Sequence, residues 1–63
     1  MKVSELEELG FIKFHHGLEL NLNNGISLEI WEDENFITIN EKYQELKKVN
    51  TIEKVKLLIE LLK

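Results

Sequence analysis

The sequence of 63 residues contains no cysteine, so no disulfide can cross-link the chain. That absence is typical of proteins that fold in a reducing cytoplasm. A chain of this length permits one domain, and such a domain buries only about 60% of the surface that it exposes when unfolded. We therefore predict a single domain over residues 1–63, with a small core that association between copies would supplement.

The sequence also lacks a long apolar run. None of its apolar stretches approaches the roughly 18 residues that a membrane span requires. Glu5, Glu7 and Glu8 stand where a signal peptide would have its apolar core. We expect a cytoplasmic protein that does not contact a membrane.

Features of an enzyme or a cofactor site are missing as well. The sequence has no glycine-rich loop of the kind that cradles a phosphate. A chain this short also has little room for a concave pocket of several hundred cubic ångströms. The available hydroxyl nucleophiles lie in no recognisable catalytic setting; they are Ser4, Ser27, Thr38 and Thr51. We predict a protein that is not an enzyme, with no catalytic residue and no cofactor.

Two groups of polar residues have the chemistry of metal ligands but the wrong spacing. His15 and His16 are adjacent, and adjacent side chains in a strand point to opposite faces. We interpret them as a surface turn. An acidic cluster lacks the alternating ligands and the central glycine of a calcium loop; it consists of Glu29, Glu32, Asp33 and Glu34. We predict no metal site, and interpret the cluster as a charged turn.

Apolar and polar residues alternate in the middle of the chain. The alternation runs through residues 18–22 and 26–30, and it is typical of half-buried strands. A two-residue turn would put the apolar residues of the two strands on opposite faces. A three-residue loop that ends at Gly25 in the left-handed conformation puts them on one face. This register pairs Leu22 with Ile26, Leu20 with Leu28, and Leu18 with Ile30.

The same reasoning predicts a strand upstream of this hairpin. Residues 15–17 repeat the pattern of a three-residue loop that closes on a glycine. We therefore expect Phe14 opposite Leu18 and Ile12 opposite Leu20, in a first strand over about residues 11–14.

A further strand is expected downstream, after the acidic turn. Residues 32–35 supply a loop of even length, which keeps the apolar residues on the same face. Trp31 and Phe36 then lie opposite each other on the other face, as an aromatic cross-strand pair. The register pairs Ile30 with Ile37 and Leu28 with Ile39. The result is a four-stranded antiparallel meander with one aliphatic face.

Short segments flank the strands on both sides. Ser4 and Glu7 form a capping box for a helix over about residues 5–9, which Gly10 ends. Residues 41–49 contain good helix formers but show weak helical periodicity, so a helix and an extended segment both stay open.

The C-terminal segment predicts a longer helix. Asn50 or Thr51 can cap it. The fold class is therefore α+β, with a short N-terminal helix, the four-stranded meander, and a C-terminal helix packed on one sheet face. The apolar stripe that faces the sheet consists of Ile52, Val55, Leu58, Ile59 and Leu62.

Leu57 and Leu61 lie on roughly the opposite side of that C-terminal helix. A helix that is apolar nearly all round is normally buried on more than one side. This chain has too little mass to cover the second side. We predict a homo-oligomer whose interface contains Leu57 and Leu61.

The net charge of -4 conceals a division along the chain. Residues 1–41 contain nine acids and two lysines, a balance of -7, whereas residues 42–63 contain three acids and six lysines, a balance of +3. The overall acidity argues against direct binding of nucleic acid. We interpret the C-terminal lysines as a solvated face, because acidic residues interrupt them and no aromatic platform accompanies them; they are Lys42, Lys47, Lys48, Lys54 and Lys56.

The predicted aromatic pair is the candidate site for a partner. Trp31 and Phe36 would form an exposed corner beside Glu29 and Glu32, and aromatic residues are enriched in protein interfaces. Alternatively, residues 41–49 fold over this corner.

Two functions therefore stay open. The first is a small interaction module that associates with itself and binds an unidentified protein. The second is an acidic inhibitor that mimics nucleic acid and blocks the nucleic-acid site of a host protein. The acids that would replace phosphates are Glu19, Glu29, Glu32, Asp33 and Glu34.

The layout of the chain resembles that of small uncharacterised phage and prophage proteins. The resemblance rests on residues 4–11 (SELEELGF), on the alternating strands, and on residues 49–53 (VNTIE) leading into the leucine pairs 57–58 and 61–62. It implies a bacterial or phage cytoplasmic setting and an accessory, non-enzymatic role. It assigns no functional residue.

Overall fold

The computed structural model describes residues 1–41 and 43–63, and it has an α+β fold. Its sheet is antiparallel with the strand order β1-β2-β3-β4-β5, so each strand pairs with its neighbours in the sequence. The α+β class and the meander are confirmed, with five strands instead of the predicted four. In chain order the elements are α1 (Val3–Glu8), β1 (Ile12–Phe14), β2 (Gly17–Asn21), β3 (Ser27–Trp31), β4 (Ile37–Ile39), β5 (Gln44–Leu46) and α2 (Ile52–Leu62).

The register of the central hairpin is the one that the alternation predicts. The loop is closed by the Leu22 amide, which donates a 3.0 Å hydrogen bond to the carbonyl of Ile26. Gly25 has a φ of 87°, in the left-handed region that glycine adopts readily. The pairs Leu18 with Ile30, Leu20 with Leu28, and Leu28 with Ile39 are all confirmed.

The predicted register of β1 is wrong by one residue. His15 and His16 form a two-residue turn, and Phe14 pairs with Gly17 instead of Leu18. Gly17 is required in the strand, because a Cβ atom there would lie 1.9 Å from the carbonyl oxygen of Ile30. Its role is thus to let β3 approach closely, and not to close a loop.

This shift moves every side chain of β1 to the other face of the sheet. Ile12 pairs with Glu19 instead of Leu20 and is 73% exposed. Lys13 takes its place on the aliphatic face, opposite Leu18. The edge of the aliphatic face therefore carries the long, charged side chain of Lys13, where the sequence predicts the apolar side chains of Ile12 and Phe14.

The fifth strand comes from the segment that the sequence left ambiguous. Residues 44–46 are extended and pair with β4, with Ile37 opposite Leu46. Leu46 and Val49 are half-buried and pack against the core, and the Ile37 amide donates a 3.1 Å hydrogen bond to the Val49 carbonyl. The extended alternative is thus confirmed for these residues, whereas Lys42, one of the lysines of the predicted solvated face, lies outside the described residues.

Helix α1 starts earlier than predicted, at Val3. Its N-cap is Lys2, which forms no side-chain capping bond, so the capping box of Ser4 and Glu7 is wrong. The predicted end is confirmed, because Gly10 has a φ of 107°. The backbone turns back here: the amide of Phe11 donates to the Leu6 carbonyl at 3.1 Å, which is the bond of a Schellman motif.

Helix α2 has the predicted bounds and packs its predicted stripe against the sheet. Thr51 is the N-cap, and its side chain accepts a 3.3 Å hydrogen bond from the Lys54 amide. Neither described helix is long and apolar enough to cross a membrane. The buried core consists of residues of both helices, residues of the aliphatic face, and Phe11 between α1 and β1: Leu6, Phe11, Leu18, Leu28, Ile30, Ile37, Val55 and Ile59.

Candidate functional site

The outer side of α2 carries two exposed leucines. Leu57 is 65% exposed and Leu61 is 81% exposed, whereas Val55 and Ile59 on the inner side are buried. At 100° per residue, Leu57 and Leu61 are 40° apart on the helix and one turn apart along it. We call these two residues the leucine ridge. Its exposure agrees with the sequence prediction, while its role in an interface stays a prediction.

Charged residues flank the leucine ridge on both sides. Lys54 lies on the Leu61 side, and Glu60 lies on the opposite side, by the same helical geometry. Glu60 accepts a salt bridge of 3.5 Å from Lys63, and both side chains are well exposed. An exposed ion pair of this kind contributes little stability, so either side chain can readily pair with another charge instead.

A concave feature lies beside α1, at the end of the sheet where the chain turns from β1 into β2. It is a groove of about 380 Å³. Leu6, Leu18 and Ile30 of the core line it, together with Val3. This region is the apolar groove. The expectation that so short a chain has little room for a pocket of several hundred cubic ångströms is therefore wrong.

The rims of the apolar groove carry opposite charges. Lys13 supplies the positive charge from β1, and Glu32 and Glu34 supply the negative charge from the loop before β4. Sequence reasoning missed the groove because its register for β1 placed Ile12 and Phe14 at this edge. Gly17 is the residue that could have indicated the correct register. A glycine in a strand often marks a place where another backbone approaches closely, which would have placed Gly17 in β2 and not in the loop.

Trp31, the main residue of the predicted partner site, is half-buried, so its expected exposure is wrong. Its ring packs edge-to-face on Phe14, with a centroid distance of 5.4 Å, and stacks on His16 at 5.6 Å. Its indole N–H donates a 3.1 Å hydrogen bond to the hydroxyl of Thr38. Phe36 is also half-buried and precedes the first residue of β4. The two rings therefore do not form an exposed corner.

Glu29 is buried as well, although the sequence suggested it as a partner-binding acid. Only 1% of its surface is exposed. Its carboxylate accepts hydrogen bonds from the Ser27 hydroxyl at 2.8 Å and from the Glu41 amide at 2.5 Å. Asn40 and Glu41 both have positive φ, near 50° and 56°. The carboxylate thus holds the turn between β4 and β5, and it is not available to a partner.

The acidic loop after β3 forms a second, smaller depression of about 240 Å³. Glu32 and Asp33 are exposed there, and the Glu32 amide donates a 2.6 Å hydrogen bond to the His16 carbonyl. Within residues 1–41 and 43–63, no three histidine or acidic side chains come together in a way that would hold a metal ion. Trp31, Glu32 and Glu34 line both this depression and the apolar groove, so the two concave features adjoin each other at Trp31 and the acidic loop.

The fold and the surface features define a small α+β domain with one convex and one concave apolar feature. Comparisons of this chain with protein-family models, with curated proteins and with solved structures find no match. The function must therefore be argued from the leucine ridge, the apolar groove and the charges beside them.

Proposed function

We propose that this protein is a small, non-enzymatic interaction module that associates with itself through Leu57 and Leu61. The observation that carries the proposal is the exposure of these two leucines on the outer side of a helix whose inner side packs against the core through the buried Val55 and Ile59. Large apolar side chains that are adjacent and exposed mark interaction surfaces more often than scattered ones do.

The size of the leucine ridge sets the strength that we expect. Burying a leucine side chain contributes about 1.5–3 kcal/mol. Association costs about 4–15 kcal/mol in lost freedom of motion. A ridge of two leucines therefore supports only weak association, with a dissociation constant in the micromolar range or above.

The alternative function, an acidic inhibitor that mimics nucleic acid, has less support. It needs several carboxylates on one surface, but Glu29 is bonded inside the protein and Glu19 is half-buried. Glu32 and Asp33 remain exposed, in a single turn. Mimicry should weaken steeply with salt, whereas apolar self-association should not.

The proposal also includes a cellular setting. A cytoplasmic accessory role in a bacterium or a phage is expected from the resemblance of the sequence. We propose that the partners are a second copy and a further protein, and not nucleic acid or a membrane.

The test is the mass of the protein as a function of concentration. Sedimentation equilibrium from about 10 µM to about 1 mM should show reversible association that persists at high salt. The double variant Leu57→Lys/Leu61→Lys should stay monomeric.

A matched control exchanges two other exposed apolar residues for the same charges. Ile12→Lys/Tyr43→Lys changes side chains that lie outside both α2 and the apolar groove. This control should associate like the natural protein. A natural protein that is monomeric at the highest concentration would refute self-association.

A further inference from the structure

We infer that the association is head-to-tail: the leucine ridge of one copy enters the apolar groove of the next copy. This inference rests on the proposed self-association and deepens it by naming the surface that receives Leu57 and Leu61. It follows from three properties of the chain, namely shape, spacing and charge.

The shapes of the two features are complementary. The leucine ridge is convex and exposed, and the apolar groove is concave with core leucines and isoleucine along it. A volume of about 380 Å³ is in the range of ordinary ligand pockets, which accept apolar groups larger than a methyl. Leu57 and Leu61 are about 6 Å apart along the helix axis, so a single groove can receive both side chains.

The charges beside the two features also match. Lys54 flanks the leucine ridge on one side and Glu60 on the other, whereas the groove is lined by Lys13 of β1 and by Glu32 directly after β3, with β2 between these two strands. One orientation of α2 in the groove places Lys54 by Glu32 and Glu60 by Lys13. The exposed bond of Glu60 to Lys63 does not oppose this exchange, because such pairs are worth only a few tenths of a kcal/mol.

The charge division of the whole chain supports the same arrangement. Residues 1–41, which contain the groove, have a balance of -7, and residues 42–63, which contain the ridge, have a balance of +3. Unlike parts attract in a head-to-tail contact. A symmetric contact of ridge on ridge would bring the two basic parts together and leave the groove empty.

A contact between two different surfaces does not close on itself by a two-fold axis. An open chain of copies therefore has a free groove at one end and a free ridge at the other, to which further copies can bind. The association should therefore continue beyond a dimer, into short chains or a ring, as concentration rises.

The experiment mixes two variants that each lack one of the surfaces. The ridge variant is Leu57→Asp/Leu61→Asp. The groove variant is Val3→Asp, at a position that is 47% exposed and starts α1, where an acidic residue is tolerated. Val3→Trp, which fills the groove without adding charge, is a second groove variant. Circular dichroism melts establish that each variant is folded.

Each variant alone should be monomeric, with association weakened at least about tenfold. An equimolar mixture of ridge and groove variants should form a dimer of one copy of each, because one intact ridge meets one intact groove. The mass of this complex should not exceed that of two chains. Its dissociation constant should lie within about threefold of the dissociation constant for the first association step of the natural protein.

Two results would overturn the inference while leaving self-association intact. Groove variants that associate like the natural protein would show that the ridge contacts another surface, such as a second ridge. A mixture of ridge and groove variants that stays monomeric while the natural protein associates would likewise show that the ridge does not bind the groove. A natural protein that is itself monomeric would instead refute the proposed function, and the inference with it.

Discussion

The two faces of the sheet are both buried at their centre, but by different means. On the aliphatic face, Leu28 and Ile37 are fully buried beneath side chains of the two helices. On the other face, Glu29 and Thr38 are equally buried, and hydrogen-bonded side chains take the place of a helix. A chain of this size thus closes one face by apolar packing and the other by a polar network.

The difference explains where the chain has apolar surface left for a partner. The polar network uses two of the residues that sequence reasoning offered to a partner, because Trp31 bonds to Thr38 and Glu29 holds the turn before β5. The aliphatic side, in contrast, leaves apolar surface exposed. Its cover, α2, has a second apolar side, and its edge beside α1 is open as the apolar groove.

The largest effect should come from a cavity on the aliphatic face. Leu28→Ala removes a fully buried side chain between the sheet and the helices. We expect it to lower the free energy of unfolding by about 3–4 kcal/mol, within the range of such substitutions. Urea unfolding followed by circular dichroism measures the change. A loss below about 1 kcal/mol would mean that this face is loosely packed.

A smaller but clear effect is expected on the polar face. Glu29→Ala leaves the Ser27 hydroxyl and the Glu41 amide without their acceptor. We expect a loss of about 2 kcal/mol in the free energy of unfolding, because hydrogen bonds to a charged acceptor contribute about 1.5–3 kcal/mol. The matched variant Glu29→Gln retains one acceptor oxygen and should lose about half as much. Equal losses in both variants would contradict the role of the acceptor.

The smallest effect should come from the indole hydrogen bond. Trp31→Phe keeps an aromatic ring beside Phe14 and His16 but removes the donor to Thr38. We expect a loss of about 1 kcal/mol, comparable to one hydrogen bond. A double-mutant cycle with Thr38→Val isolates the pair. A coupling energy near zero would show that the bond does not help to close this face.

The parts of the fold that follow from period and parity could be predicted from the sequence. The alternation in β2 and β3 admits one register that puts all apolar residues on one face, and that register is observed. The stripe of α2 follows from helical spacing in the same way, whereas its cap was left open between Asn50 and Thr51. Where a local pattern has one solution, it predicted the structure.

The parts that depend on distant contacts could not be predicted in this way. Gly17 looked like the end of a loop, and its role against the Ile30 carbonyl is visible only when β3 lies beside it. Glu29 looked like a surface acid because its bond to the Glu41 amide forms only when β4 turns into β5. The same error in β1 hid the apolar groove, so the ridge was predicted without the surface that we propose receives it.

The most direct test of the account is a dilution series followed by amide chemical shifts, from about 1 mM to about 10 µM. We predict concentration-dependent shifts at Leu57 and Leu61 and, in the same spectra, at Val3 and Glu32 of the apolar groove. Amides around Ser27 and Asn40, which are bonded to each other on the polar face outside the lining of the apolar groove, should not move. Shifts confined to that polar face, or no shifts at all, would contradict the claim that the aliphatic side of this protein carries its association surfaces.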